Sequence, residues 1–159
     1  MSEEFITHSE DETIQLGAKL SAMLPARALV LLIGNLGAGK TTLTKGIAEA
    51  RGAAAADEVS SPTFTLIHEY GEPALVYHID LYRLDEAREV ASLGIEELLN
   101  RDALVLVEWG ERFPQLWPED RYEIRITAGA DDERRIEFKR SPLSPRTSPQ
   151  CDGESSQLP

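Results

Sequence analysis

Residues 28 to 46 read Ala28-Leu-Val-Leu-Leu-Ile-Gly34-Asn-Leu-Gly-Ala-Gly-Lys40-Thr-Thr-Leu-Thr-Lys-Gly46. The first six, Ala28 to Ile33, are apolar without a break, which suits a strand buried on both faces. The pattern Gly34-x-x-x-x-Gly39-Lys40-Thr41 follows, in the order of strand, glycine loop and helix that a phosphate-binding loop requires. Such a loop brings successive backbone N–H groups up to phosphate oxygens, and the next helix points its N-terminus at the same anion. Lys40 supplies a point charge for the β- and γ-phosphates, and the Thr41 hydroxyl suits a Mg²⁺ ligand. The stretch predicts a nucleoside triphosphate site in an α/β protein.

The bulk composition agrees with that reading. The chain has 159 residues, enough for one domain with a real core and too few for two ordinary ones. Its net charge of −12 argues against a broad basic face that grips nucleic acid, so any RNA-linked role should pass through a protein partner. The single cysteine, Cys151, excludes a disulfide framework and lies in a polar tail. Met1-Ser-Glu-Glu begins no signal peptide, and no run approaches 18 apolar residues, the length a membrane helix needs. A cytoplasmic enzyme or switch is the expectation.

Outward from the loop, Phe5 and Ile6 read as an edge strand, and Ser9 with Glu12 as a capping box. A helix should run to Met23, with Ile14, Ala18, Leu20 and Met23 on its apolar face and Pro25 as its stop. Thr13 falls in its first turn and reads as a helix-terminus hydroxyl. A second helix should cover Thr41 to Ala50 and stop at Gly52, followed by a loop from Ala53 to Asp57. Phe64, Leu66 and His68 alternate like a strand after Pro62. Gly71-Glu-Pro73 is a turn, and Ala74 to Ile79 a second strand, antiparallel to the first. Asp85 is placed to cap a short helix through Val90, and Leu93 to Leu99 adds a helical turn or two. Ala103 to Val107 repeats the fully apolar pattern. Pro114 and Pro118 make Arg112 to Asp120 irregular. Tyr122 to Thr127 and Arg135 to Lys139 form a closing hairpin. The whole predicts a phosphate-loop NTPase-like three-layer α/β fold with a mixed central sheet over residues 1–140. Residues 141–159, rich in proline and nearly without apolar groups, form a disordered tail.

Mg²⁺ needs oxygen ligands beyond Thr41 and the phosphates, and parallel strands bring their C-terminal ends to the edge where the glycine loop lies. Two strand-end carboxylates fit: Glu108 after Ala103-Leu-Val-Leu-Val107, and Asp80 after Leu75-Val-Tyr-His-Ile79. Asp80 reads equally well as the cap of a helix over Leu81 to Leu84. The hydroxyls of Ser60, Ser61, Thr63 and Thr65 lie in a loop after the second helix, where nucleotide switches carry groups that sense the γ-phosphate, though turn chemistry around Pro62 explains them as well. His8, His68 and His78 lack metal-ligand spacing. His78 shares the strand face of Asp80, as a core residue or a support to the site. Trp109 reads as packing, and Arg83 and Arg112 as surface arginines. No Asn-Lys-x-Asp motif marks a guanine site, and no arginine cluster marks the lid of a small-molecule kinase.

Four segments in register carry a resemblance. They are Gly34-Asn-Leu-Gly-Ala-Gly-Lys-Thr-Thr42, Ser61-Pro-Thr-Phe-Thr-Leu66, His78-Ile-Asp-Leu-Tyr-Arg-Leu84 and Leu106-Val-Glu-Trp109. Together they resemble the bacterial TsaE (YjeE) family of small ATPases over roughly residues 5 to 139. The resemblance implies a Mg²⁺-dependent ATPase in synthesis of the threonylcarbamoyl modification on adenosine 37 of tRNA. Such a protein binds the TsaD–TsaB complex and resets it, touching tRNA only through that partner. It implies that Lys40 and the loop from Gly34 through Asn35, Leu36, Gly37, Ala38 and Gly39 to Thr41 and Thr42 hold the phosphates. Thr41 and Glu108 would be magnesium ligands, Asp80 a catalytic or magnesium-linked carboxylate grouped with Lys40 and Glu108, and Ser61 to Thr65, with Thr63 and Thr65, the switch-like loop. Thr13 would lie near the adenine, and Arg135 would touch the nucleotide. Asn35 departs from the usual aspartate of the family. Two other readings stand beside this one: an ATP-gated assembly module whose hydrolysis is incidental, and a small-molecule kinase.

Overall fold

The computed structural model describes residues 2–141, so the expected tail lies outside the described residues except for Ser141, which still belongs to the last strand. In chain order the elements are strand β1 (Ser2–Thr7), helix α1 (Glu10–Ala22), β2 (Ala28–Ile33), α2 (Lys40–Ala50), β3 (Ile67–Tyr70), β4 (Val76–Asp80), α3 (Ala87–Ala91), α4 (Ile95–Leu98), β5 (Leu104–Glu108), β6 (Arg121–Ala128) and β7 (Arg134–Ser141). The strands form one sheet in the order β1-β7-β6-β2-β5-β4-β3. β2 is parallel to both β5 and β6, and β4 to β5; the remaining pairs are antiparallel. The expected mixed sheet with parallel strands beside the glycine loop is what the chain forms.

Side-chain alternation on the central strands divides the apolar residues between two cores. Val30 and Leu32 of β2, with Leu104 and Leu106 of β5, pack under Leu16, Leu20, Leu43 and Ile47 of α1 and α2. Leu29, Leu31 and Ile33, with Val105 and Val107, pack on the other face against Val90, Ile95, Phe113 and Trp117. That arithmetic places His78, Asp80 and Glu108 on the α1/α2 face, because they share the parity of Val76, Leu104 and Leu106.

The apolar face expected for α1 is only partly right. Leu20 is buried, but Ala18 is exposed, and the buried stripe runs through Thr13, Leu16, Gly17, Leu20 and Ser21. The reason is backbone contact with α2. A Cβ added at Gly17 would strike the carbonyl of Leu43, and one at Gly46 would strike the carbonyl of Ile14. Two glycines therefore let the helices meet more closely than any side chains would permit. Ser9 does cap α1, accepting from the Glu12 N–H at 3.1 Å. The Glu12 carboxylate reaches one residue further back than a capping box would, to the His8 N–H at 2.6 Å.

Other expectations shift by a residue or more, among them β4, which begins at Val76 rather than Ala74. β3 starts at Ile67 rather than near Phe64, since Leu66 adopts φ +72 and breaks the extended run. α3 is preceded by Glu86 rather than Asp85, and the Glu89 carboxylate accepts from the N–H groups of both. Residues 81–84 form a turn and not a helix capped by Asp80. Among the described residues no helix is long and apolar enough to cross a membrane.

Candidate nucleotide site

The glycine loop ends β2 and enters α2 at Gly39, whose φ of +115 only glycine adopts without strain. The turn places Lys40 and Thr41 in the first turn of α2, at the mouth of a cavity of about 480 Å³. One wall is the loop itself, with Leu36, Gly37 and Gly39 beside Lys40, Thr41 and Thr42. The carboxylate edge adds Ser61, Thr63, Asp80, Glu108 and Trp109 to the lining. Ser9, Glu10 and Thr13 from the start of α1 and Asp132 and Arg134 from the β6–β7 hairpin complete the lining.

Lys40 is only 5% exposed. Its ammonium donates to the Gly34 carbonyl at 2.6 Å, lies 3.9 Å from the centre of the Trp109 ring and stands 4.0 Å from Glu108 Oε1. Burial pulls its protonation below the ordinary lysine range, opposed by the carboxylates of Glu108, Glu111 and Asp80. An anion entering the cavity would meet a cation that is poorly solvated and already held by weak partners, a favourable setting for phosphate.

Asp80 and Glu108 are register partners on adjacent parallel strands, and each is 3% exposed. Asp80 Oδ2 accepts from Ser61 Oγ at 3.2 Å and Thr63 Oγ1 at 3.0 Å, while Oδ1 accepts from the Tyr82 N–H at 2.9 Å. Glu108 Oε2 lies 2.6 Å from His78 Nε2. The donor set on this edge is hydroxyl and carboxylate oxygen, the chemistry a hard divalent cation takes. No group of three His, Cys, Asp or Glu among the described residues forms a metal cage of its own. A Mg²⁺ ion here would be held by Thr41 and Glu108 together with the phosphates of a nucleotide, and the residues fit that arrangement.

Other expected site residues are placed as follows. Thr13 reaches the cavity and its Oγ1 lies 2.7 Å from Thr7 Oγ1, both buried. Gly34, Asn35 and Ala38 border a second cavity of about 360 Å³ behind the loop, with Glu111 and Arg125, and do not line the main one. Thr65 is exposed and lines neither cavity. Arg135 does not enter the site: it is an exposed side chain whose guanidinium lies 3.2 Å from Glu4 on the edge strand. Its neighbour Arg134 lines the main cavity instead. The signal was there to read, since Arg134 shares the parity of the buried Ile136 and Phe138 and Arg135 does not. Trp109 packs as expected, against the second core and the Tyr82 ring at 5.2 Å, and it also lines the cavity, with φ +67 where the chain turns after β5. Arg112 holds the carbonyls of Tyr82 and Leu84 at 2.9 Å, away from the phosphate loop.

Comparison with known proteins agrees in extent and in fold. The sequence profile of the family described as "Threonylcarbamoyl adenosine biosynthesis protein TsaE" matches residues 7–136. The tRNA threonylcarbamoyladenosine biosynthesis protein TsaE of Bacillus subtilis is 39% identical over 133 residues, 83% of this chain and 82% of that one. The protein of the same name from Nostoc is 40% identical over 145 residues, 87% and 85% of the two chains. The crystal structure of Bacillus subtilis YdiB superposes with a TM-score of 0.71 at 31% identity, covering 92% of this chain and 88% of that one. Sequence, fold and the convergence of loop and carboxylates lead to one assignment: the chain belongs to the TsaE family.

Proposed function

We propose that this protein is a Mg²⁺-dependent ATPase of the cytoplasmic pathway that installs threonylcarbamoyladenosine at position 37 of tRNA, and that it binds the TsaD–TsaB complex and resets it between rounds. The observation that carries the proposal is the pairing of Asp80 with Glu108 across β4 and β5, opposite Lys40 and Thr41. A phosphate-binding loop alone only binds. Two buried carboxylates facing it add what turnover requires.

The roles follow from position. The loop amides and Lys40 cradle the polyphosphate, and Lys40 releases the Gly34 carbonyl to do so. Thr41 and Glu108 would hold the metal, which would supply charge neutralisation at the transferring phosphoryl group. Asp80 orients the attacking water, and Ser61 and Thr63, bonded to it, couple that step to the loop they sit on. Thr13 and Arg134 line the same cavity and are the residues we assign to the nucleoside. The acidic surface fits a protein that leaves RNA contacts to its partner.

The test is ATP hydrolysis measured alone and with TsaD–TsaB. Weak activity alone and strong stimulation in the complex are expected. Equal rates in both would remove the partner from the reaction, and comparable affinity for GTP and ATP would remove the adenine assignment.

A further inference from the structure

Among the buried polar residues at the carboxylate edge, His78 has no part in the scheme above, yet it makes the shortest contact there. It sits inside β4 at 0% exposure, two residues before Asp80. Its Nε2 is 2.6 Å from Glu108 Oε2, and its Nδ1 is buried with no hydrogen-bond partner among the described residues. We propose that His78 is a positioning residue for Glu108: its Nε2–H holds one carboxylate oxygen so that the other, Oε1, stays turned toward Lys40 and the phosphate loop. The proposal rests on the reading of Glu108 as the carboxylate that holds Mg²⁺ beside ATP.

Geometry decides the tautomer. The partnered nitrogen faces a carboxylate oxygen, which only accepts, so the hydrogen belongs on Nε2. Nδ1 is then a bare acceptor without a partner, a lesser penalty than an orphaned N–H. Packing alone does not account for an imidazole here. A leucine would fill much the same space and leave no unpaired nitrogen, as Leu106 does on the neighbouring strand. What leucine would not do is occupy Glu108 Oε2. The last torsion of a glutamate is broad and nearly two-fold, so packing of the stem leaves the carboxylate free to turn. A donor on one oxygen stops that rotation. Oε1 is the oxygen 4.0 Å from Lys40 Nζ, so the oxygen left open is the one facing the site. Ligating carboxylates are commonly held by a hydrogen bond of this kind, and loss of such a partner costs roughly 10- to 100-fold in metal affinity or activity.

Glutamine and asparagine separate the two explanations. The amide nitrogen of His78→Gln reaches the place of Nε2, whereas His78→Asn falls short of Glu108. ATP affinity is measured with Mg²⁺ and with EDTA in its place, after thermal melts show the variants folded. The wild type is expected to bind more tightly with Mg²⁺. His78→Asn should lose roughly 10- to 100-fold of that gain with its Mg²⁺-free affinity unchanged, and His78→Gln should retain it within a few-fold. Equal behaviour of the two variants, or a full Mg²⁺ gain in His78→Asn, overturns the proposal. A Mg²⁺ gain absent from the wild type itself removes the metal role of Glu108, and this role with it, before any variant is compared. The ring ¹⁵N spectrum supplies a check that needs no ligand and no variant. With only three histidines in the chain, the His78 signals should show hydrogen on Nε2, and hydrogen on Nδ1 alone refutes the assignment.

Discussion

Asp80 and Glu108 end neighbouring strands, face the same cavity and are buried to the same degree, yet their surroundings are of opposite kinds. Glu108 is held from within the sheet, by a histidine on the next strand, and lies near a buried lysine. Asp80 is held at one oxygen by two hydroxyls on a loop whose next residue, Phe64, is 82% exposed, and at the other by the Tyr82 N–H. Burial therefore does not determine what a carboxylate is able to do. Glu108 has fixed partners and suits a constant task such as holding a metal. Asp80 shares one oxygen with the hydroxyls of a surface loop and the other with the Tyr82 N–H, so half of its support depends on that loop.

Substitutions at the carboxylates themselves should give the largest effects. Glu108→Gln and Asp80→Asn are each expected to cut turnover by roughly 10²- to 10³-fold. They should differ in binding: Asp80→Asn keeps Mg²⁺-ATP affinity within a few-fold, and Glu108→Gln loses the Mg²⁺-dependent part of it. Identical binding losses in titrations of the two variants would erase the distinction. If multiple rounds of tRNA modification continue with Asp80→Asn, hydrolysis is incidental to the cycle.

A smaller effect should come from the loop. Ser61→Ala combined with Thr63→Val leaves Asp80 in place but without its two hydroxyl donors. Turnover should fall roughly 10-fold, with stability lowered by about 1 kcal/mol for each lost bond. Steady-state kinetics and thermal melts separate the two consequences. A stability loss with unchanged turnover would reduce the loop to a structural tie.

The smallest effect concerns the Glu108 side and its pH dependence. Burial raises the Glu111 carboxyl above its ordinary range, and its Oε1 is buried without a partner among the described residues. The folded form therefore keeps its proton to higher pH than the unfolded form. That contribution to stability is complete below pH 4.5 and is lost as pH rises through the folded value. Glu111→Gln should raise Tm by roughly 2–4 °C near pH 8, about 1 kcal/mol, and leave it unchanged at pH 4. A gain that persists at pH 4 would mean that charge is not the cause.

What could be read from the sequence depended on whether a feature was local. The phosphate-binding loop, the Ser9 cap and the two apolar strands are written in consecutive residues, and each lies where expected. The end of α1 at Met23 and the turn at Gly52 are local in the same way. The errors fall where a partner distant in sequence decides. Gly17 gave no apolar signal, since its burial comes from the backbone of α2. β3 begins late because Leu66 turns left-handed, its N–H bonded to the Pro62 carbonyl and its own carbonyl to the Asp80 N–H. Arg135 carries the expectation drawn from the resemblance, and alternation along β7 turns its neighbour Arg134 to the cavity instead. His78 and Trp109 were legible as positions but not as contacts, for His78 meets Glu108 across 30 residues of chain and Trp109 turns toward Lys40 only after β5 ends.

The two glycines between α1 and α2 have a consequence of scale. Each vacant side-chain position is filled by a carbonyl of the other helix, so the pair cannot slide without collision. Thr13 on one helix and Lys40 on the other are thereby set apart by a fixed span, like the jaws of a locked caliper. A ligand laid across it would meet a span that does not adjust to its length. Asp80 and the loop hydroxyls bonded to it belong to neither helix and lie outside that constraint.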